Sequence, residues 1–356
     1  LHKLCMGGQR MVENQCTDRP QCPPLPSSGP EEPWVEWSLP AFTSMFLPEF
    51  PHFLGYIAKG SFGPILKVKD KFKENTYAMV PKSEVLRLGI LQQSKEEVII
   101  QRQVRHPFLH DLQDCWQTQN HLFIVCDYCS TGDLYTYWMM IGQFAEDAVK
   151  VFAAELGSAL FLHDFGIMHR DMENVLLTDQ HLRLSDFGLS RRLEGGARTF
   201  TICGTMQYMP EVLSGGPYSH AADWWSLGIL LFAMVTGNLQ FPVPPEPHHS
   251  TMLGKVRSFP YEMPETFSPP LALLLLEQLL CKTPAKRLHT LERFQHQTFF
   301  RGTPFDSQLL QKTPMELILE LKHRPDREAK ARRGLDSEPF QDFDCDLLGS
   351  PVTSSI

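Results

Sequence analysis

Apolar positions between residues 53 and 127 come in short runs: Phe53 to Ile57, Ile65 to Lys69, Tyr77 to Val80 and Leu122 to Asp127. Runs of that length, rich in Val, Ile, Phe and Tyr, predict β-strands. One helical pattern interrupts them, from Ser94 to Val104, and it stops ahead of His106-Pro107, where the proline disfavours helix. After Gly132 the apolar period lengthens, and helices are predicted over Ala145 to Phe165 and Ala222 to Thr236. The pattern predicts an α+β, bilobal fold. A small β-rich lobe with one main helix covers about residues 49–127, a larger helical lobe covers about 133–300, and a hinge lies near Asp127 to Gly132. Two lobes on a hinge enclose a cleft, the usual place for a small-molecule site.

The flanks differ in texture. Residues 1–48 are rich in Pro, Ser, Gly and Glu, with Pro20, Pro23, Pro24, Pro26 and Pro30 among them. Such a segment buries too little apolar surface to offset its ordering entropy and is expected to be disordered. Residues 301–356 form a polar, charged tail with isolated Phe residues. The chain starts at Leu1, not Met, as a piece of a longer protein would.

Hydrophobic content of 42% and charged content of 21% suit a soluble globular domain, and the formal charge of −8 gives no footprint for nucleic acid. No apolar run is long enough for a membrane span; the richest stretches, Leu227 to Val235 and Leu271 to Leu280, suit core helices. The nine cysteines show no zinc-like spacing, which favours reduced thiols in the cytoplasm or nucleus.

The candidate chemistry starts at Gly60-Ser61-Phe62-Gly63, set between two predicted strands. Glycines there let backbone N–H groups approach phosphates without a Cβ in the way, although G-x-x-G alone is more often a hairpin turn. Further on stand His169-Arg170-Asp171-Met172-Glu173-Asn174 and Asp186-Phe187-Gly188, with Val175-Leu176-Leu177 between them. The two motifs in that order resemble the catalytic centre of protein kinases, in which an H-R-D Asp orients the substrate hydroxyl and a D-F-G Asp binds Mg²⁺.

That resemblance assigns the remaining residues. It implies catalytic roles for Asp171, Asn174 and Asp186, with Asn174 and Asp186 as Mg²⁺ ligands. The loop is short, however: Asn174 follows Asp171 by three positions where the pattern has five, so Asn174 reaches the metal only if the register shifts. The lysine that this loop normally carries is missing as well. The strand-lysine position in Tyr77-Ala78-Met79-Val80-Pro81-Lys82 is Val80. Lys82 lies on the same side of an extended strand, ~6.6 Å further along at ~3.3 Å per residue, and its bland reading is a surface lysine. Glu97, ten positions before Pro107, is the partner glutamate and is expected to face inward.

Several positions depart from the pattern or fill it only in part. Ala58 replaces the first glycine of the phosphate loop; Ala58, Gly60, Gly63 and Ile65 would cover ATP, with adenine against Cys126 to Cys129, Asp127 and Cys129 at the hinge, and Asp133 near the ribose. Thr199-Phe200-Thr201-Ile202-Cys203-Gly204-Thr205 resembles an activation segment. Phosphate on Thr201 would meet Arg170 and Arg191, delivered by an upstream activation-loop kinase, and Thr205 closes the motif. Glu211 of Met209-Pro210-Glu211 would pair with Arg287, and Asp223 would brace the backbone around His169.

Over about residues 50–356 the chain is similar to AGC-group serine/threonine kinases. Phe305-Asp306-Ser307 with Lys312-Thr313-Pro314 resembles the turn-motif region of ribosomal protein S-six kinases. Phe340-Gln341-Asp342-Phe343-Asp344 resembles their hydrophobic motif, with Asp344 in place of the phosphorylated residue. The resemblance implies ATP and Mg²⁺, protein substrates with basic residues ahead of the acceptor, and a monomer. The basic run Lys322 to Arg333 reads as a solvated linker.

Three short omissions against the pattern, near positions 80, 172 and 210, leave three readings. The chain is an active kinase, or a scaffold without turnover, or a shortened form of a sequence that carries the omitted residues.

Overall fold

The computed structural model describes residues 53–59, 64–69, 74–117, 120–129, 132–135, 138, 143–178, 181–193, 197–200, 214, 216–237, 248–261, 263–303 and 305. Gly60, Gly63, Thr201, Thr205, Glu211, Thr313, Phe340, Phe343 and Asp344 lie outside the described residues.

The small lobe is one antiparallel sheet. Strands β1 (Phe53–Lys59), β2 (Pro64–Lys69), β3 (Glu74–Pro81), β4 (Leu112–Gln117) and β5 (His121–Asp127) are ordered β1-β2-β3-β5-β4. β4 has no counterpart among the predicted strands: Asp114, Gln113 and Gln117 break the apolar run that would have marked it. Alternation splits the sheet into two faces. Val80, Leu122, Ile124 and Cys126 pack on one side with Val85 and Val98, while Val68, Tyr77 and Val125 pack on the other, where Trp116 stacks on Phe123 at 5.2 Å.

Two helices follow β3: the short α1 (Lys82–Arg87) and the longer α2 (Leu91–Gln103). α2 starts three residues before the predicted Ser94 and turns Val98, Ile100 and Gln101 inward. It ends at Val104, whose backbone is extended, two residues short of the His106-Pro107 break.

In the large lobe, α3 (Glu146–Ala159) does not run through to Phe165 as predicted. It tightens into a 3₁₀ turn over Leu160–Phe165 and stops at Gly166, which takes the left-handed conformation at φ 70°. α4 (Ala221–Thr236) is buried over nearly its whole length and ends the same way at Gly237, φ 66°. Gly157 on α3 lies so close to Phe294 that a Cβ there would sit 2.1 Å from the ring. Gly157→Ala is therefore expected to lower stability by about 2 kcal/mol, in spite of alanine's better helix propensity, because overpacking at that range forces the ring to move; a denaturant titration measures it.

Short strands carry the chemistry between the lobes. β6 (Gly132–Asp133), β8 (Val175–Leu177) and β9 (Leu182–Leu184) form one small sheet, and β7 (Ile167–Met168) pairs with β10 (Arg191–Arg192) in another.

Candidate active site

The loop from His169 to Asn174 follows β7 and is held from below by one carboxylate. Asp223 on α4 is fully buried and accepts hydrogen bonds from the backbone N–H groups of His169 and Arg170, both at 2.8 Å, and from His163 Nε2 at 2.9 Å. Burial opposes the ionised form, yet the His163 and His169 hydrogen bonds outweigh it and hold the Asp223 pKa below the usual range. Arg170 sits at φ 65°, a left-handed conformation that costs a non-glycine residue ~1–3 kcal/mol. Such strain persists only where surrounding bonds over-determine it, and Asp223 supplies two of them.

The missing residues are absorbed locally. Met172 and Glu173 form a tight turn, Met172 buries its side chain in the large-lobe core, and Asn174 N–H donates back to Asp171 O at 3.4 Å. Downstream the β8–β9 register is intact: Val175 faces Leu184, and Asn174 O accepts from both Ser185 N–H at 2.8 Å and Ser185 Oγ at 3.0 Å. Asn174 is thereby pinned beside the residue that precedes Asp186. A shorter loop has changed the path from Asp171 to Asn174, while the anchorage of Asn174 to the next strand remains.

Asp186 is the second strained residue, φ 65°, and its Oδ1 accepts from Gly188 N–H at 3.2 Å. Phe187 is buried and meets His169 edge-on at 4.9 Å. Glu97 turns inward from α2 toward this segment: a methyl on Gly188 would lie 3.0 Å from Asp186 Oδ1 and 3.4 Å from Glu97 Oε2. Gln93, one turn earlier on α2, donates to Gly188 O. Two carboxylates therefore flank Gly188, and a glycine is what lets them approach it.

The strand-lysine position differs from the expectation for Lys82. Val80 faces α2 in the apolar cluster with Val98, 9% exposed. Lys82 does not continue that face, because Pro81 ends β3 and Lys82 opens α1. Nor is Lys82 a surface residue: it is 5% exposed, its N–H donates to Asn120 O, and its charge helps burial to push the pKa of His121 down. His121 starts β5, at the end remote from the hinge. The extrapolation by strand period fails since the strand stops one residue too early.

At the hinge, Asp127 is buried and its carboxylate accepts from Arg183 Nη1 of β9 at 2.7 Å. Ile65 on β2 pairs with Ala58 on one side and Ala78 on the other, and Asp133 on β6 pairs with Leu176 on β8. Cys126 and Cys129 stand three apart across the hinge, a C-x-x-C spacing. Both are buried and free. Burial pushes Cys126 well up, with Glu97, Asp127 and Asp111 adding to it, and pushes Cys129 up to about 11. Thiolate is the reactive form, so iodoacetamide at about pH 8 is expected to spare both in the native protein while modifying the more accessible Cys281. Peptide mass spectrometry checks the pattern.

The remaining candidates are structural or peripheral. Arg170 donates to Leu189 O at 2.6 Å and to Tyr218 Oη at 3.2 Å, while Arg191 is exposed with Nη1 3.3 Å from Thr199 Oγ1. Arg287 is fully buried, donates to Cys281 O and Ala221 O at 3.0 and 2.8 Å, and lies over the Trp225 ring at 4.8 Å. Sequence reasoning did not single out His110, Arg183, Ser185 or His163, whose roles arise from contacts distant along the chain.

A two-lobed fold in which an H-R-D loop packs against a D-F-G turn is matched by the protein kinase domain model over residues 52–300. The chain belongs to the protein kinase family. It is 51% identical to human ribosomal protein S6 kinase-related protein, over 89% of this chain and 79% of that one. It is also 35% identical to a RAC family serine/threonine-protein kinase homolog of Dictyostelium discoideum, over 77% of this chain and 63% of that one. With human ribosomal protein S6 kinase alpha-3 the identity is 36%, over 69% and 35%. These relatives place the chain among AGC-group serine/threonine kinases.

Proposed function

We propose that this chain transfers the γ-phosphate of ATP to serine or threonine hydroxyls of protein substrates in a Mg²⁺-dependent reaction, about a hundredfold more slowly than a kinase with the strand lysine. The observation that supports the reading is the anchorage of the Asn174 backbone carbonyl to Ser185, the residue before Asp186, in spite of the shortened loop. Asp171 orients the substrate hydroxyl and takes its proton as the oxygen bonds to the γ-phosphorus and the bond from phosphorus to the bridging oxygen of ADP breaks. Asp186 and Asn174 offer hard oxygen donors of the kind Mg²⁺ takes when substrate phosphates complete its shell. When bound, the ion neutralises phosphate charge. Ala58, Ile65, Asp127, Cys129 and Asp133 line the nucleotide, and Gly60 and Gly63 cover its phosphates. Phosphate on Thr201 would be received at Arg191, Thr313 would belong to the turn motif, and Phe340 and Phe343 would dock on the small lobe with Asp344 in place of a phosphorylated residue. A monomer in the cytoplasm or nucleus fits the composition.

Val80 supports a second reading, a scaffold that binds nucleotide or partners without turnover, because an apolar side chain stands where a cation would hold the phosphates. The experiment is phosphate transfer from Mg-ATP to a generic protein substrate by the purified chain, with Asp186→Asn as the control. Slow transfer that the control loses supports the kinase reading. Equal signals from both proteins leave the scaffold.

A further inference from the structure

α2 is 13 residues long and follows Ile90 without a capping side chain. An isolated helix of that length is marginal, so its seat is set by what it touches. Both lobes claim it: Val98 packs with Val80 in the small-lobe cluster, while Ile100 belongs to the large-lobe core together with Phe187. At Val80, β3 offers α2 an apolar contact and no charge. The polar ties of α2 come from glutamines instead. Gln101 Nε2 donates to His110 O at 3.0 Å, Gln103 accepts from Arg192 of β10, and Gln93 Nε2 donates to Gly188 O. Gln93 and Gln103 thereby fasten α2, near its two ends, to the segment that runs from the D-F-G turn into β10.

Gly188 transmits the first of these ties. Its carbonyl receives the Gln93 amide and its N–H donates to Asp186 Oδ1 at 3.2 Å, so one residue is bonded to α2 on one side and to the carboxylate on the other. Asp186 sits at φ 65°, a conformation that persists only where neighbouring bonds over-determine it. Glu97, one turn after Gln93, brings its own carboxylate up to the same glycine. We propose that Gln93 is a positioning residue for Asp186: acting through Gly188, its amide holds α2 against the D-F-G turn as a neutral tether, where Val80 supplies no charge. The inference rests on the reading of Asp186 as a Mg²⁺ ligand and names the residue that keeps it in place.

The test is Gln93→Leu, which keeps most of the bulk and removes the donor. Gln92→Leu is the control, because Gln92 is the exposed neighbour on the same helix. Hydrogen exchange of the full chain is read by mass spectrometry over residues 186–190. It is expected to quicken about tenfold in Gln93→Leu, the scale of one lost hydrogen bond, and to stay within about twofold in Gln92→Leu. The Mg²⁺ concentration for half-maximal phosphate transfer is expected to rise about fivefold in Gln93→Leu, while the KM for the protein substrate stays within about twofold. General loosening of the fold does not produce that split. Exchange unchanged in Gln93→Leu, or quickened equally in Gln92→Leu, overturns the tether whatever the transfer assay reads. Quickened exchange with an unmoved Mg²⁺ requirement overturns the positioning role and leaves the kinase reading standing. No transfer by the unaltered chain overturns the kinase reading and the positioning role with it, while exchange still reports the tether.

Discussion

Asp223→Ala is expected to lower the unfolding free energy by about 4 kcal/mol. Three donors converge on that carboxylate in a fully buried position: two backbone N–H groups and one imidazole. Removing the acceptor leaves each of them to find another partner where water does not reach, at ~1–3 kcal/mol for every group left unsatisfied. Partial relaxation brings the sum toward the ~3–5 kcal/mol typical of breaking a buried charged network. The damage falls on function as well. Arg170 is held at φ 65° by one of those bonds, and Asp171 is the next residue. Release of the loop displaces Asp171, and ~1 Å of misplacement costs about 10²-fold in rate. A guanidinium titration gives the stability change, and phosphate transfer per folded molecule gives the rate. A loss below about 1 kcal/mol would show that the loop holds its shape by other means.

Val80→Lys is expected to raise phosphate transfer by about a hundredfold, the worth of one preorganised electrostatic contact of ~3 kcal/mol. The position faces α2 through Val98, and the adjacent Glu97 turns its carboxylate toward Gly188 and Asp186. An ammonium introduced there has an anion to receive it. Lys82→Met makes the opposite test. Lys82 lies at the start of α1, on the His121 side of the sheet, and its loss is expected to change transfer by less than about twofold. Should Lys82→Met abolish transfer while Val80→Lys leaves it unchanged, Lys82 would be the phosphate lysine after all. Initial rates of the two variants and the parent decide between them.

Both predictions turn on how far local sequence can be extrapolated. Side-chain period placed Lys82 on the face of Val80, and that inference holds only while the strand continues; Pro81 stops it. Counting residues let Asn174 reach the metal only if the register shifts, and the count was right that the loop is short. It could not anticipate that β8 keeps its register with β9 and ties Asn174 to Ser185, since strand pairing is set by cross-strand bonds and not by the length of the preceding turn. Glu97 was legible as inward-facing, because α2 buries Val98 and Gln101 on the same side. β4 was not legible, its apolar alternation being diluted by polar residues that the sheet edge tolerates.

Sequence by itself determined the lobes, the catalytic motifs and their departures, because each of these is written in adjacent residues and short periods. The tertiary structure decided what the departures mean. It buried Lys82 at the start of α1, closed the shortened loop with a turn, gathered three donors onto Asp223, and set His110 against the hinge carbonyl of Asp127. His110 and Asp127 are 17 positions apart, and His169 and Asp223 are 54 apart. Contacts of that kind depend on how helices and strands pack, and the free energy that selects them belongs to the folded core as a whole, not to any window of the chain.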